Sequence, residues 1–308
     1  MNDTRILVLA GPTATGKSRA ALAIASAFDA EIVGADSVQV YRGFDIGSAK
    51  PTQEERHKIP HHVIDAIDPN EDIDARRYAE LADLAIADIS SRGKLAIVVG
   101  GTGLWLRALL RGLVELPRVD GAVRSRLEAD GARVGSEALH ERLARVDPIT
   151  AGQVHPNDLF RIVRALEVFE QTGTPLGELR RDHALGEPRY HDTFVVLDMD
   201  RNEHDDAVTR RVDAMLDRGW VDETQALLAK WGGAVRPFGS VGYREVREHV
   251  EANVPLDETR RRIRKSTRTY ARRQRTWFKS EPGVAWRTNA SELCGPAGRA
   301  RLEKELGL

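Results

Sequence analysis

The hydrophobic positions of this chain form short apolar runs separated by longer segments with helical spacing. The runs are Arg5–Ala10, Glu31–Ala35, His61–Ile67, Leu95–Val99 and Thr193–Asp198. A short apolar run without polar alternation is typical of a buried parallel strand. Because segments with helical spacing lie between these runs, the sequence predicts an α/β fold, with a parallel sheet covered by helices on both faces.

Apolar residues recur with helical spacing in Lys17–Phe28 and again in Ala75–Arg92, which stops at Gly93. Residues 205–279 are also predicted to be helical. A last short strand is expected at Val284–Arg287, and a closing helix at Glu292–Leu306.

The pattern changes after Pro117. Residues 120–185 are rich in Arg and Glu, have helical spacing and contain no convincing strand. We therefore expect two domains: a P-loop catalytic core with basic C-terminal helices, formed by 1–119 and 190–308, and an all-helical insertion at 120–189.

Composition narrows the possible classes of protein. The chain has 308 residues, 41% of them hydrophobic, which suffices for a sizeable core. No apolar run is long enough to cross a bilayer, and the N-terminus enters a strand-like run at once, so we expect neither a membrane span nor a secretory signal. The single cysteine, Cys294, excludes an internal disulfide and fits a reducing cytoplasm.

Charge is unevenly distributed. The net charge is −1, yet residues 260–279 carry ten Lys or Arg and no acid. This asymmetry indicates an anionic partner, since intrahelical ion pairs would be absent from a segment without acids. A merely solvated face is the alternative. The aromatic residues interleaved there share a helical face with Ile263 and Gln274, so they are either core residues or part of an RNA surface.

The most specific motif is the P-loop GPTATGKS at Gly11–Ser18, between a strand and a helix. Successive backbone N–H groups form an anion-sized nest there, and the helix N-terminus adds partial positive charge. Lys17 reaches terminal phosphate oxygens and Ser18 can bind Mg²⁺. The motif therefore predicts that the chain grips a di- or triphosphate.

A plain NTPase places a metal-binding acid at the end of a neighbouring strand. Here Leu95–Val99 runs into GGTG (Gly100–Gly103) without an acid. We expect Asp36 to be the only acid at a strand end near the loop. The polar and aromatic residues that follow it are better suited to a substrate than to a metal.

Several segments together identify a family. GPTATGKS, DSVQVY (36–41), FDIGSAKP (44–51), IPHHVID (59–65) and GGTGLW (100–105) resemble the bacterial-type tRNA dimethylallyltransferases, also called isopentenyltransferases. The later segments HPNDLFRIVRALEV (155–168), VGYREV (241–246) and TRTYARRQRTWF (267–278) extend the resemblance over nearly the whole chain.

The resemblance implies transfer of a dimethylallyl group from dimethylallyl diphosphate to N6 of adenine-37 of a tRNA, with diphosphate as the leaving group. It implies Asp36 as the general base for the amine, with Thr102 and Lys17 as further catalytic residues. A turn or helix cap is the structural alternative for Asp36 and for Thr102. Trp105 stands where many members carry Tyr, and we expect it to line an apolar wall.

The resemblance also implies two sets of binding residues. Arg211 is preferred over Arg210 for the diphosphate, with a solvated helical Arg as the alternative, and Tyr41 is expected to stack on the base. The diphosphate set is Gly11, Pro12, Thr13, Ala14, Thr15, Gly16, Lys17, Ser18 and Arg211, with Mg²⁺ on Ser18. The tRNA set is Asp36, Ser37, Val38, Gln39, Thr102, Arg124, Arg161 and Arg164, the last three being surface ion pairs in the alternative interpretation.

The adjacent His61 and His62 lack further ligands at metal spacing, so we interpret them as structural or substrate-loop residues. Nothing in the sequence indicates an obligate protein partner, and a monomer is expected.

Three other functions remain open from the residues alone. A P-loop kinase or NTPase would transfer or release phosphate. A prenyltransferase acting on free adenine nucleotides would share the P-loop but would need neither the basic segment nor the insertion. A non-catalytic RNA-binding protein with a degenerate P-loop is the third, and the intact Lys17 and Ser18 argue against it.

Overall fold

The computed structural model describes residues 4–113, 120–183 and 188–307. They group into two compact units: the chain up to Leu110 together with the chain from Pro188 onward, and the intervening segment Arg111–Glu187. The first unit is α/β. In the second, the described residues form helices and connecting turns, with no strand.

A six-stranded sheet forms the centre of the first unit, in the order β3-β2-β4-β1-β5-β6. All neighbouring strands are parallel, which confirms the predicted P-loop-like α/β fold. The strands are β1 (Arg5–Ala10), β2 (Ala30–Ala35), β3 (His61–His62), β4 (Leu95–Gly100), β5 (His191–Leu197) and β6 (Val284–Thr288).

The central strand, β1, is apolar on both faces. Its residues from Ile6 to Ala10 are fully buried between β4 and β5. Helices cover both faces of the sheet, and this is why the sequence shows continuous apolar runs instead of alternation. The helices of this unit are α1 (Lys17–Ala27), α2 (Gln53–Lys58), α3 (Ala75–Ser91), α4 (Gly103–Arg111), α10 (Arg201–Asp217), α11 (Trp220–Trp231), α12 (Tyr243–Ala252), α13 (Leu256–Lys279), α14 (Ala290–Cys294) and α15 (Pro296–Leu306), with a 3₁₀ turn at Arg236–Gly239.

Two predicted elements differ from the structure. The strand expected at His61–Ile67 stops after His62, because Val63 and Asp65 adopt left-handed φ values of 58° and 53° that no strand can continue through. The closing helix is two helices, α14 and α15, because Gly295 and Pro296 interrupt it.

The helical unit contains α5 (Gly121–Val134), α6 (Ser136–Val146), α7 (Pro148–Ala151), α8 (Leu159–Thr172) and α9 (Leu176–His183). Leu127, Leu143 and Ile162 are fully buried in its separate core. The insertion is predicted to span 120–189, but the second unit ends at Glu187, so residues 188 and 189 belong to the first unit. Residues 184–187 lie outside the described residues.

Among the described residues, no helix combines the length and apolar character needed to cross a membrane.

Candidate active site

Three turns at the carboxyl edge of the sheet surround one cavity. They follow β1, β2 and β4, which are adjacent in the sheet. The cavity has a volume of about 170 Å³, more than ten times what one water needs, so it can hold a small ligand. Its walls consist of Thr13, Ala14, Gly16, Lys17, Ser18, Ala21, Ile32, Gly34, Asp36, Gln39, Pro51, His61, Ile64, Val99, Gly100, Gly101, Arg211, Tyr270 and Gln274.

The P-loop wraps the first of these turns. Gly11 has a φ of 143°, and a Cβ there would lie 2.1 Å from the carbonyl oxygen of Leu197, so only glycine fits. Ala14 and Gly16 also have positive φ, which curls the chain before it enters α1. The first N–H groups of a helix have no intrahelical acceptor. The loop therefore has the shape of the predicted anion nest.

Lys17 extends back over this loop. Its Nζ donates a hydrogen bond to the Pro12 carbonyl at 2.6 Å. Burial and, to a smaller extent, the positive charge of Arg211 lower the pKa of Lys17 to about 7, while the negative charge of Asp36 opposes the shift. The cavity is thus electropositive without an anion in it, which favours an anionic ligand.

Arg211 reaches the same cavity from α10. Its guanidinium lies 3.4 Å from the Ser48 carbonyl, whereas neighbouring Arg210 is exposed to solvent. Burial lowers the pKa of Arg211, but a guanidinium stays charged at any physiological pH. The structure thus places Arg211 in the cavity wall and not on a solvated helix face.

Asp36 follows β2 and uses one carboxylate oxygen for local structure. Its Oδ1 accepts the N–H groups of Val38 and Gln39, at 2.8 Å and 3.2 Å. Among the described residues, nothing donates to Oδ2. Asp36 is therefore both a turn residue and the carboxylate that faces the cavity; its proposed catalytic role stays a prediction.

Thr102 joins two of the turns. Its Oγ1 accepts the N–H of Ser37 at 3.3 Å, and its own N–H donates to the Ala35 carbonyl. Its carbonyl accepts from the first turn of α4, so it also begins that helix. Thr102 lies next to the cavity-lining Gly101 but does not itself line the cavity.

Two expectations about aromatic residues are wrong. Tyr41 is 1% exposed and packs edge-on against Phe44, so it is a core residue that cannot stack on a base. Trp105 is 5% exposed and stacks on Tyr78 with ring centroids 4.4 Å apart, in the core and away from the cavity wall. Gln39 lines the cavity, but its amide donates to the Ser48 and Ala49 carbonyls.

The remaining predicted residues lie around this centre. Gly11, Pro12 and Thr15 form the loop behind the cavity wall; Thr15 Oγ1 donates to the Pro12 carbonyl at 2.9 Å. Ser37 and Val38 contribute backbone N–H groups to the turn after β2: Ser37 donates to Thr102 Oγ1, and Val38 donates to Asp36 Oδ1.

The basic segment of α13 corrects another expectation. Most of its cations are paired, because acids from α10 approach it and because Glu258 begins the same helix. Arg264 binds Asp213 at 2.5 Å, and Arg268 lies 3.3 Å from Asp205. Similar pairs hold Arg260, Arg261, Arg262 and Arg275.

Four cations of α13 make no ion pair or hydrogen bond through their side chains with the described residues: Lys265, Arg272, Arg273 and Lys279, all exposed. Lys265, Arg272 and Lys279 follow one another at intervals of seven residues and share one face of the helix. We call these three residues the cation stripe.

Asp198 corrects the expectation that Asp36 is the only acid at a strand end near the P-loop. It follows β5, which pairs with β1. Its carboxylate accepts from Arg275 at 2.8 Å and from the backbone N–H of Met199, and it does not line the cavity.

In the helical unit, the three predicted RNA-binding arginines form helical ion pairs. Arg124 pairs with Glu128 at 3.0 Å, Arg161 with Asp158 at 3.2 Å, and Arg164 with the buried Glu167. Their RNA contacts stay a prediction.

Phe160, which the sequence interpretation overlooked, is 67% exposed and lies under the Arg124 guanidinium at 5.3 Å. A single aromatic residue at the start of an amphipathic helix carries little sequence signal, since its exposure depends on how the helix packs.

Tyr270 and Gln274 are the site residues that sequence reasoning missed. Helical spacing predicts that they share a face with Ile263, and it leaves open whether that face is core or part of an RNA surface. That face does pack inward, but at Tyr270 and Gln274 it covers the cavity. Burial raises the pKa of Tyr270, and the nearby charge of Asp36 raises it further, so the phenol stays neutral. The prediction of one continuous helical face is therefore correct, but the sequence does not show which part of the molecule that face packs against.

No group of three or more His, Cys, Asp or Glu side chains in the described part of the chain is placed to hold a metal ion. His61 lines the cavity with Nδ1 bonded to the Ile59 carbonyl, and His62 binds Glu31. The two rings therefore have different structural partners.

This chain is similar to known proteins in both sequence and fold. The model of the family described as IPP transferase matches residues 39–281. A protein of Anaeromyxobacter dehalogenans named tRNA dimethylallyltransferase is 49% identical over 282 residues, covering 92% of this chain and 94% of the relative. This chain belongs to the IPP transferase family.

Other members extend the comparison. A tRNA dimethylallyltransferase of Sorangium cellulosum is 47% identical over 90% of this chain and 88% of its own. The crystal structure of a tRNA isopentenylpyrophosphate transferase from Bacillus halodurans is 32% identical, with a TM-score of 0.72 over 99% of this chain and 97% of that one. A eukaryotic dimethylallyltransferase acting on tRNA is 27% identical, with a TM-score of 0.80 over 97% and 78%. The family resemblance is confirmed.

Proposed function

We propose that this chain is a tRNA dimethylallyltransferase: it transfers the dimethylallyl group of dimethylallyl diphosphate to N6 of adenine-37 in the tRNA anticodon loop and releases diphosphate. The observation that supports this most is the juxtaposition of a phosphate-binding loop and the Asp36 carboxylate in one cavity. A prenyl diphosphate needs the first, and an adenine amine needs the second. Family membership supplies independent support.

The diphosphate is placed against the P-loop N–H groups, with Lys17 and Arg211 on either side. As the bond between the prenyl carbon and oxygen breaks, its electron pair passes to the diphosphate. Lys17 and Arg211 stabilise the charge that develops there, and a fixed positive environment needs no reorganisation during the step. Ala21, Ile32 and Ile64 give the cavity an apolar wall that keeps water from the prenyl group.

The adenine amine supplies the other half of the exchange. Its lone pair forms the new carbon–nitrogen bond, and the N6 proton passes to Oδ2 of Asp36, the oxygen that the surrounding backbone leaves unused. Because Oδ1 is tied to Val38 and Gln39, the carboxylate is fixed before the base arrives. A stacked base cannot reach this depth, so adenine-37 must be turned out of the loop.

Mg²⁺ fits the diphosphate half of the cavity. Ser18 lines it, and Mg²⁺ in such sites keeps few protein ligands and takes the rest from phosphate oxygens and water. When bound, the ion adds positive charge at the leaving group. We propose Ser18 as its protein ligand.

Two surfaces are proposed to hold the RNA, one in each unit. On the first, the cation stripe lies on the helix that also brings Tyr270 and Gln274 to the cavity. On the helical unit, the surface consists of Arg124, Phe160, Arg161 and Arg164. Exposed arginine beside an aromatic ring suits a phosphate next to an unstacked base. Because tRNA substrates are found there, we propose the cytoplasm as its location.

The test compares three acceptors with labelled dimethylallyl diphosphate and Mg²⁺: an anticodon stem-loop with adenine at position 37, the same RNA with guanine there, and AMP. We expect label only on the first RNA. Label on AMP with similar kcat/KM would identify a free-nucleotide prenyltransferase. ATP hydrolysis without label transfer would identify an NTPase, and RNA binding with neither would identify a non-catalytic RNA-binding protein.

A further inference from the structure

Gln274 joins two of the three turns that surround the cavity. Its Oε1 accepts the N–H of Thr13 in the P-loop at 2.9 Å, and its Nε2 donates to the Gly101 carbonyl at 2.9 Å. The side chain is 6% exposed, and both of its polar atoms are satisfied. One amide therefore fixes the spacing between the P-loop and the turn after β4.

Thr13 is held from its other side as well. The Nε2 of His204, on α10, bonds to the Thr13 carbonyl at 2.8 Å. A carbonyl only accepts, so Nε2 carries the proton in this bond. Burial lowers the pKa of His204, which keeps the ring neutral near pH 7. Thus the peptide groups on both sides of Thr13 have fixed partners outside the P-loop.

The contact leaves little room for adjustment. A Cβ on Gly101 would lie 2.2 Å from Nε2 of Gln274 and 3.2 Å from the Gly11 carbonyl oxygen, so any larger residue at 101 would displace the Gln274 amide from this position. The next residue, Arg275, binds Asp198 at the end of β5. Residues 274 and 275 thereby fix the turns after β1, β4 and β5 from one point of α13.

We propose that Gln274 is a positioning residue for the diphosphate site, acting with His204 to hold the P-loop at Thr13 in its anion-binding shape. The backbone N–H of Thr13 donates to Gln274 and is therefore not free to bind phosphate. Its bond to Gln274 sets the curvature of the loop, and the other N–H groups of the loop bind the phosphate. Displacing catalytic groups by about 1 Å can cost on the order of 100-fold in rate. The role rests on the proposed function of the same site.

Three variants separate the parts of this arrangement. Gln274→Leu has nearly the same size and removes both hydrogen bonds. Gln274→Glu still accepts from Thr13 but cannot donate to Gly101 and adds a negative charge beside the diphosphate. His204→Gln keeps an N–H at the reach of Nε2, whereas His204→Leu removes it. Thr276→Ala, two residues along α13 on its exposed side, is the matched control.

We expect the dissociation constant of inorganic diphosphate, measured by calorimetry, to rise about tenfold in Gln274→Leu and further in Gln274→Glu, roughly 1.4 kcal/mol for each factor of ten. The kcat/KM for dimethylallyl diphosphate should fall at least as much, while the KM for the stem-loop stays within about threefold. His204→Leu should follow Gln274→Leu, and His204→Gln and Thr276→Ala should resemble the wild type.

Wild-type diphosphate affinity in a folded Gln274→Leu protein overturns the proposal. So does an equal rise of both KM values together with a lower melting temperature, which would indicate a purely structural role. If Gln274→Leu does not fold, Gln274→Glu and His204→Leu decide the question by the same criteria. Calorimetry with inorganic diphosphate requires no prenyl transfer, so failure of the proposed function, seen as no label transfer by the wild type, is distinguishable from failure of this inference.

Discussion

Asp36 has one carboxylate oxygen in a structural role and a second that is free for the proposed chemistry. Its Oδ1 closes the turn after β2, its Oδ2 accepts no hydrogen bond from the described residues, and the residue lines the cavity. A lone aspartate after a strand is usually a turn residue, and here that ordinary role holds the second oxygen in place. The two interpretations that the sequence left open are therefore compatible, because a carboxylate has two oxygens to use.

Lys17 is the residue whose charge depends most on the ligand. With the cavity free of anions its pKa is about 7, because the ammonium is buried next to Arg211. A bound diphosphate favours the charged form and raises that pKa. Below pH 7 the Lys17 side chain is already protonated, whereas above pH 7 Lys17 must take up a proton when diphosphate binds.

Diphosphate affinity should therefore weaken as pH rises above about 7, by up to tenfold per pH unit until the raised pKa of the complex is reached. Calorimetry of inorganic diphosphate binding at pH 6.5, 7.5 and 8.5, in buffers of different ionisation enthalpy, measures affinity and proton uptake together. The Lys17→Met variant controls for titration of diphosphate itself. Equal pH dependence in the two proteins would show that Lys17 does not titrate in this range.

At the scale of elements, α13 has two faces with different surroundings. Its buried face brings Tyr270 and Gln274 to the cavity, and its exposed face carries the cation stripe. The other cations are neutralised by acids such as Asp213 and Asp205, which lie about 50 residues or more away in sequence. The sequence showed a block of positive charge, but only the packing of α10 against α13 shows how much of that charge remains available.

Removing the available part should weaken RNA binding through its salt-dependent component. We expect the triple variant Lys265→Gln, Arg272→Gln and Lys279→Gln to reduce the slope of log affinity against log salt by roughly 2, because each lost phosphate contact contributes about 0.7 to 0.9 to that slope. Fluorescence anisotropy with a labelled stem-loop over a salt series measures this slope.

The matched control, Arg299→Gln, Arg301→Gln and Lys304→Gln, makes the same change of charge on α15. That helix ends beside Arg5 at the opposite edge of the sheet, where Arg5 donates to the Leu306 carbonyl at 2.7 Å. An equal reduction of the slope in both triples would mean that net charge and not the stripe determines the affinity.

Element prediction succeeded where local signals determine the outcome. β1 and β4 are continuous apolar runs, and the P-loop glycines mark their own turn. It failed at Val63–Asp65, where Lys50 and Arg56 hold Asp65 in a left-handed conformation that no local pattern shows. The local pattern after Asp36 suggests a substrate role for Tyr41, yet Tyr41 packs against Phe44, which belongs to an aromatic cluster with the distant Phe238 and Tyr243.

At the scale of the whole molecule, the cavity and the predicted RNA-binding arginines lie in different units. The α/β unit holds the cavity, while the helical unit has its own core and carries Arg124, Phe160 and Arg161 on its surface. The P-loop could be assigned from sequence because its glycines and the Lys17–Ser18 pair form a local motif between a strand and a helix. The contributions of Gln274 and His204 could be located only in the structure, since each reaches Thr13 across 191 residues or more.

The most direct test of the account measures single-turnover transfer of dimethylallyl to an anticodon stem-loop by the wild type and by Asp36→Ala, with RNA affinity measured in parallel. We predict transfer to N6 of adenine-37 by the wild type, and a rate in the variant lower by roughly 100- to 10,000-fold with affinity for RNA nearly unchanged. Near-wild-type turnover in Asp36→Ala, or transfer to a different position, would contradict it.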